Sequence, residues 1–373
     1  MSARTDAIVV GGGLAGIACA VDLAHRGVAV TLLETRRKLG GRATSFRDVR
    51  TGRLIDNCQH VVMGCCTNYL DLCARLGVRD RFEWHDATYW HEPGGRASRI
   101  FADRSRHAVE TFGEWLSARG QGERVIRKFW EPVIVSACNL SCERVSAAVA
   151  LHVFQEGFLA NRRSPMIGLS RVPLVELYDG AREVIERAGG SVSLGAGVAR
   201  VGVDHVETSS GERLDAEKVV CAVPFERALK IVDPDVLEAD ARFAPMRALT
   251  HSPILGVHIE FDRPVMRTPH AVLVGMGTHW LFRKDDSGAR VHAVISAADA
   301  WMGMDEQSIV RRVHEDIATC IPGAIDARVL SARPVKEKRA TYAATPEGES
   351  SRPFTMGESG LILAGDYVRT GWP

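Results

Sequence analysis

The chain can begin in few ways other than as a β-α-β unit, because a β-branched run meets three adjacent glycines and then an apolar periodicity of helical spacing. Ala7-Ile8-Val9-Val10 stops at Gly11-Gly12-Gly13, after which Leu14, Ile17, Ala18, Val21 and Leu23-Ala24 recur at three and four. Gly27 closes the predicted helix, and Val28-Ala29-Val30-Thr31-Leu32-Leu33 forms a second buried strand ending in Glu34. Within this unit Gly11, Gly13 and Gly16 hold the three positions of the dinucleotide fingerprint. The first allows the sharp turn, the second lets backbone approach a pyrophosphate, and the third lets helix and strand pack closely. Leu14 and Ala15 open the helix, so their free N–H groups and the positive end of its dipole would face the phosphates. Glu34 follows Gly16 by 18 residues, the place from which a carboxylate accepts hydrogen bonds from both ribose hydroxyls. The same stretch superficially resembles a secretory signal, since 7–21 is uncharged and follows Arg4, but three glycines would break the apolar helix a signal needs.

After Glu34 the chain reads Thr35-Arg36-Arg37-Lys38-Leu39-Gly40-Gly41-Arg42. A second glycine pair with Arg42 behind it resembles the flavin branch of this fold, in which the second loop also covers the FAD diphosphate. Gly41 and Arg42 are the ligand candidates, and Arg36, Arg37 and Lys38 read as a solvated charge run.

The 373 residues are enough for more than one core, and the pattern divides them. Residues 1–65 read as the first part of a Rossmann-like FAD-binding domain with a parallel sheet. Residues 66–170 form a mostly helical substrate or cap region, with Pro132 expected to kink its second helix. Residues 171–235 return to the FAD-binding domain, 236–345 supply the sheet and helix of an α+β substrate domain, and 346–373 close the FAD-binding part. Pro173 is expected to open a helix running to Ala188, and Thr345 to Arg352 reads as a flexible linker.

Lys and Arg number 47 against 46 Asp and Glu, so no global field would gather nucleic acid. Nine cysteines without a CxxC pair argue against a zinc cage or a disulfide framework, and no metal is expected. No run reaches the length of a membrane span, and the expected location is cytoplasmic, with peripheral contact to a membrane surface.

With these pieces in place the sequence resembles the flavin amine-oxidase and carotenoid-desaturase superfamily, and within it the hydroxysqualene dehydroxylases, the squalene-associated FAD-dependent enzymes. The general elements are 11–16, Glu34, Gly40-Gly41-Arg42 and Gly365-Asp366. More specific are Asp56-Asn57-Cys58-Gln59-His60 with Gly64-Cys65, the stretch Arg127 to Ala137, and Val172-Pro173-Leu174. By this resemblance Val198 would offer backbone groups to the adenine, and Asp366 would hold the ribityl chain or pyrophosphate. The family usually has a longer helical insertion where 102–110 stands here, and it continues past its equivalent of Gly371-Trp372-Pro373 into a helix against the flavin.

The resemblance implies reductive removal of the hydroxyl of hydroxysqualene to give squalene. That chemistry needs hydride at an allylic carbon, a proton for the departing hydroxide, and a long apolar cavity. His60, Asp56 and Glu131 are the candidate acids, because they lie in the specific stretches and carry protons. The alternatives are a histidine that only bonds backbone, a turn-capping aspartate, and a solvated or ion-paired glutamate. Phe129 and Trp130 are expected in the core, or lining the tunnel. Other readings are a desaturase or amine oxidase running the flavin oxidatively, for which Trp372 has no aromatic partner beyond Tyr367, and a non-catalytic prenyl-binding or truncated remnant.

Overall fold

The computed structural model describes residues 5–94, the backbone of 97–98, and 110–370. A seven-stranded sheet carries the predicted β-α-β unit. Its parallel part runs in the order Ser191–Leu194, Val30–Glu34, Thr5–Val10 and Arg213–Cys221. Arg213–Cys221 is forked: its end pairs in parallel with Ile362–Leu363, and its beginning pairs antiparallel with His205–Thr208, which continues to Val198–Val201. Alternation decides the two faces. Val9, Leu32 and Val220 pack against the helices Leu14–His25 and Gly180–Arg187 through Ile17, Val21 and Ile185. Ile8, Val10, Leu33 and Cys221 face the opposite way, onto Phe225, Tyr367 and Val368. Each fully buried aliphatic side chain of this kind contributes about 1.5–3 kcal/mol.

The second seven-stranded sheet has the order Val329–Tyr342, His251–Phe261, Arg290–Ile295, Trp280–Arg283, His270–Leu273, Trp90–His91 and Ala97–Ser98. One face, with Leu255, Val257, Ala293 and Ile295, packs on the helix Glu306–Cys320 through Ile309, Val313 and Ile317. The hairpin expected around Pro93 is present as Trp90–His91 against Ala97–Ser98, and its extension to 99–101 lies outside the described residues. Three short strands, Val61–Met63, Ile167–Ser170 and Phe82–His85, form a separate sheet at the join between the two large ones.

Two local expectations are corrected, and a third gains its detail. The run from Leu174 to Ala188 is two pieces, a 3₁₀ turn Leu174–Tyr178 and an α-helix Gly180–Arg187, meeting at Asp179. Gly180 sits where a β-carbon would lie 2.9 Å from the Leu76 carbonyl oxygen, so the chain passes closely there. Residues 345–352 are no loose linker: Thr345 caps the short helix Pro346–Ser350, and Glu349 accepts hydrogen bonds from Tyr342 at 2.6 Å and Arg352 at 3.0 Å. Pro132 is accommodated by a π-helical turn, Ile126–Trp130, in which the Glu131 N–H reaches back to the Ile126 carbonyl. Widening the helix just before a proline relieves the clash of its ring with the preceding turn.

Candidate functional site

The first glycine loop is built for close approach. Gly11 has φ +110°, and a β-carbon there would lie 2.8 Å from the Ala222 carbonyl oxygen; one at Gly16 would lie 1.8 Å from the Gly11 carbonyl oxygen. Gly13 is the N-cap of Leu14–His25 and offers no side-chain cap, so the first N–H groups of the helix, from Leu14, Ala15 and Gly16, stay free of side-chain partners. The second loop folds over the first. The Gly40 N–H donates to the Gly12 carbonyl at 2.8 Å, and Gly41, at φ +58°, comes so near that a β-carbon on it would be 2.9 Å from the Gly13 Cα.

Glu34 is buried at the end of its strand. Its Oε2 accepts from the Gly12 N–H at 2.6 Å and its Oε1 from the Arg36 N–H at 2.7 Å. A carboxylate has about four lone-pair sites, so two remain for a ribose diol. Beside it, the Ala196 N–H donates to the Glu34 carbonyl and leads to Val198, whose carbonyl accepts from Arg227 at 3.1 Å. Arg42 and Asp366 meet in an ion pair of 2.9 Å, and Arg42 also donates to the Ala340 carbonyl at 2.7 Å. Gly365, at φ +153°, packs against the Tyr367 ring. The Thr44 hydroxyl, two residues beyond Arg42, is buried without a partner among the described residues. Free helix N–H groups, side-chain-free loops, a ribose-sized acceptor and an orphaned hydroxyl together fit a dinucleotide.

The segment from Asp56 to His60 bridges this loop to the second sheet. Asn57 donates to the Arg42 carbonyl at 3.4 Å and to Glu337 at 3.2 Å. Asp56 is buried and fully engaged: Oδ1 accepts from Ser45 at 2.7 Å and from the Leu174 N–H at 3.0 Å, and Oδ2 pairs with Lys284 at 3.4 Å. Through the Leu174 N–H it caps the 3₁₀ turn. His60 is half-buried, with Nδ1 3.1 Å from the Cys58 carbonyl, and burial lowers its pKa. Glu131 opens the helix Glu131–Cys138. Its Oε2 accepts from the Cys142 N–H at 2.8 Å, and burial raises its pKa, so it ties one turn of the helical region rather than being solvated or ion-paired. Phe129 and Trp130 pack with Phe112 and Phe154 in the core. Trp372 lies outside the described residues.

The face of the second sheet turned toward this segment is graded in rows that the register makes explicit. Lys284 joins Arg290 through backbone pairing, and Arg290 lies opposite Glu260, itself opposite Ser331. The next row is His270, Phe282, His292, His258 and Arg333. The row after is Val272, Trp280, Val294, Gly256 and Val335. Cys58 packs on Phe282 and Val294, with Trp280, Ile254 and Leu169 beside them. The charged row borders a cavity of about 410 Å³ that is also lined by Arg53, Asp56, His85 and His258. This cavity holds many charges and does not match the expected apolar tunnel; on the other side of the histidine row the side chains are apolar, with Val272 and Val294 buried.

His258, His270 and His292 carry no motif that marks them in the sequence. Period-2 alternation within His251–Phe261 and Arg290–Ile295 does mark His258 and His292 as polar intrusions on a face shared with Ile254, Gly256 and Val294.

Among the described residues no group of His, Cys, Asp and Glu could hold a metal ion, and no helix is long and apolar enough to cross a membrane. A family model described as flavin-containing amine oxidoreductase matches residues 14–124 and 108–373. A hydroxysqualene dehydroxylase of Sinorhizobium fredii is 27% identical over 402 residues, covering 98% of this chain and 93% of that protein. A 15-cis-phytoene desaturase of Narcissus pseudonarcissus is 23% identical, covering 97% of this chain and 75% of its own length. An oxidoreductase structure from Methanosarcina mazei, 14% identical, superposes with a TM-score of 0.76 over 97% of this chain and 95% of that one, which shows a shared fold.

Proposed function

The chain belongs to the flavin-containing amine oxidoreductase family and is a FAD-dependent oxidoreductase, and from that premise we propose that it removes the hydroxyl of hydroxysqualene reductively, giving squalene. The observation that carries this reading is the apolar row Val272, Trp280, Val294 and Val335, which the Asp56 to His60 segment joins to the Arg42 loop. A long hydrocarbon with a single hydroxyl is matched by an apolar wall bordered by imidazoles, and the similarity to a hydroxysqualene dehydroxylase over nearly the whole chain points to the same substrate class. Tyr367 is fully buried against Phe225, so it is not available to an aromatic cage for an amine.

In this reading Gly11, Gly13, Leu14, Ala15, Gly16 and Gly41 receive the diphosphate, Glu34 the adenosine ribose, Val198 the adenine, and Gly365, Asp366 and Arg42 the remainder of the FAD. The Arg42–Asp366 pair would open or share its charges to admit that group. Residues 1–65, 171–235 and 346–373 would form the cofactor domain, and 66–170 with 236–345 the substrate side. Bound FAD, reduced by an external donor, supplies the hydride. The protein supplies apolar surroundings and a proton for the departing oxygen, with His60 as the proton carrier on the bridging segment and Asp56 holding that segment in place. The expected setting is the cytoplasm, at the surface of the membrane that carries the lipid.

The test is anaerobic incubation of the pre-reduced protein with hydroxysqualene, followed by product analysis. Squalene in amounts matching the flavin supports the reading. Peroxide release with a primary amine, and no squalene, overturns it.

A further inference from the structure

His292 and His270 are both fully buried, and neither ring nitrogen of His292 has a hydrogen-bond partner among the described residues. An unpaired buried polar group costs about 1–3 kcal/mol. Native interiors keep few of them, and a ligand or an ordered water is one way such a group is completed. His270 sits at the side of the row remote from the cofactor loops, among Tyr89, His85 and Trp280.

His292 is placed differently. Its ring stacks on His258 at a centroid separation of 3.8 Å and an interplanar angle of 20°. Its Nε2 uses the space that Gly256 leaves, 2.7 Å from the point where a β-carbon would stand, and the Asn57 carbonyl oxygen is 3.4 Å from that same point. Asn57 in turn reaches the Arg42 loop. His258 is already committed: its Nε2 donates to the Asp56 carbonyl at 2.8 Å, and it borders the charged cavity. One imidazole of the stacked pair is anchored, and the other is held in plane with its nitrogens unspent.

We infer that His292 binds the hydroxyl of the isoprenoid alcohol, with His258 as the positioning residue that fixes its ring. This rests on the function proposed above and names the group that distinguishes the alcohol from the hydrocarbon. Burial, with the Lys284 ammonium nearby, holds the His292 pKa well below the ordinary histidine range, so the ring is neutral. A neutral imidazole has one donor and one acceptor, the complement of a hydroxyl, and squalene has neither. The apolar row beside it then takes the chain next to the hydroxyl.

The test uses the FAD-loaded full chain, titrated with hydroxysqualene and, separately, with squalene, the perturbation of flavin absorbance reporting binding. The native protein is expected to prefer the alcohol by about tenfold, the size of one buried hydrogen bond. His292→Phe is expected to abolish the preference while leaving squalene affinity unchanged, and His292→Gln, which keeps a donor and an acceptor, to retain part of it. His258→Leu should weaken the preference without abolishing it. A native protein with no preference, or a His292→Phe protein that keeps it, overturns the inference. If His292→Phe fails to load FAD, the glutamine variant decides: loss of the whole preference there also refutes hydrogen bonding as its basis. Preference without squalene formation would sink the proposed reaction and leave this assignment standing.

Discussion

Removing the guanidinium of Arg242 is expected to destabilise the protein by a large fraction of its stability. Asp240 and Arg242 form an ion pair whose side chains are 2% and 8% exposed. The carboxylate receives Nη2 at 2.7 Å and Nε at 3.0 Å, and the same guanidinium donates to the carbonyls of Phe354, Thr355 and Leu361 at 3.0, 2.8 and 2.7 Å. The loop can pass this close because residue 357 is glycine: a β-carbon there would lie 2.1 Å from Arg242 Nε. Arg242→Met leaves a buried carboxylate without its cation, a loss of about 3–5 kcal/mol in a domain whose whole stability is about 5–15 kcal/mol. The double variant Asp240→Leu with Arg242→Met should cost less than the sum of the single changes, by about 2 kcal/mol. Its partners hold the Asp240 carboxyl down to about 2, against an unfolded value near 3.9. The folded pKa is depressed, so this stabilisation, about 2 kcal/mol, is complete above about pH 4 and disappears as pH falls toward 2. Urea unfolding followed by circular dichroism at pH 7 and at pH 3 measures both effects. A loss under 1 kcal/mol for Arg242→Met, or strict additivity in the double variant, would refute the reasoning.

Gly16→Ala sets a methyl 1.8 Å from the Gly11 carbonyl oxygen, so the purified protein should lose its flavin, read as the ratio of absorbance at the flavin and protein bands; a fully yellow protein would count against the close approach. Glu131→Gln keeps an oxygen for the Cys142 N–H, so it should cost under about 1 kcal/mol in a thermal melt and leave dehydroxylation intact; a large loss of single-turnover rate at unchanged stability would make Glu131 a proton donor after all. Asp56→Ala strips Lys284, Ser45 and the Leu174 N–H of their common acceptor and should destabilise by about 2–4 kcal/mol in urea unfolding, against much less for Asp56→Asn. His60→Ala should slow single-turnover dehydroxylation by pre-reduced protein, and a full native rate would eliminate His60 as the proton donor.

The cofactor half of the molecule is legible in the sequence because its information is local. Strand, glycine turn, helix and strand follow one another within thirty residues, each with its own period, and the structure has Thr5–Val10, Leu14–His25 and Val30–Glu34 in that order. The strand Ser191–Leu194, which extends the same sheet, leaves no comparable signal because SVSL is short and half serine. Residues 345–352 resemble a linker by composition alone; the tertiary bonds from Tyr342 and Arg352 that order them leave no mark in that window. The bonds of Asp56 to Leu174 and Lys284 span more than a hundred residues, so the sequence near Asp56 allows a capping role without singling it out.

The proposed substrate side is encoded in strand register rather than in motif. His258 and His292 are 34 positions apart in sequence and directly opposite in the sheet, and the pairing continues through Phe282 to His270. A slip of one residue in Arg290–Ile295 would turn His292 into the core that holds Val291, Ala293 and Ile295. The burial of those three side chains against Ile309, Val313 and Ile317 therefore does more than stabilise the sheet. It fixes which face His292 occupies, and with it the order of charged, imidazole and apolar rows beneath the Asp56 to His60 segment. The hydrophobic contacts on the far side of the sheet thus determine which side chains face the Asp56 to His60 segment, where the substrate is proposed to bind.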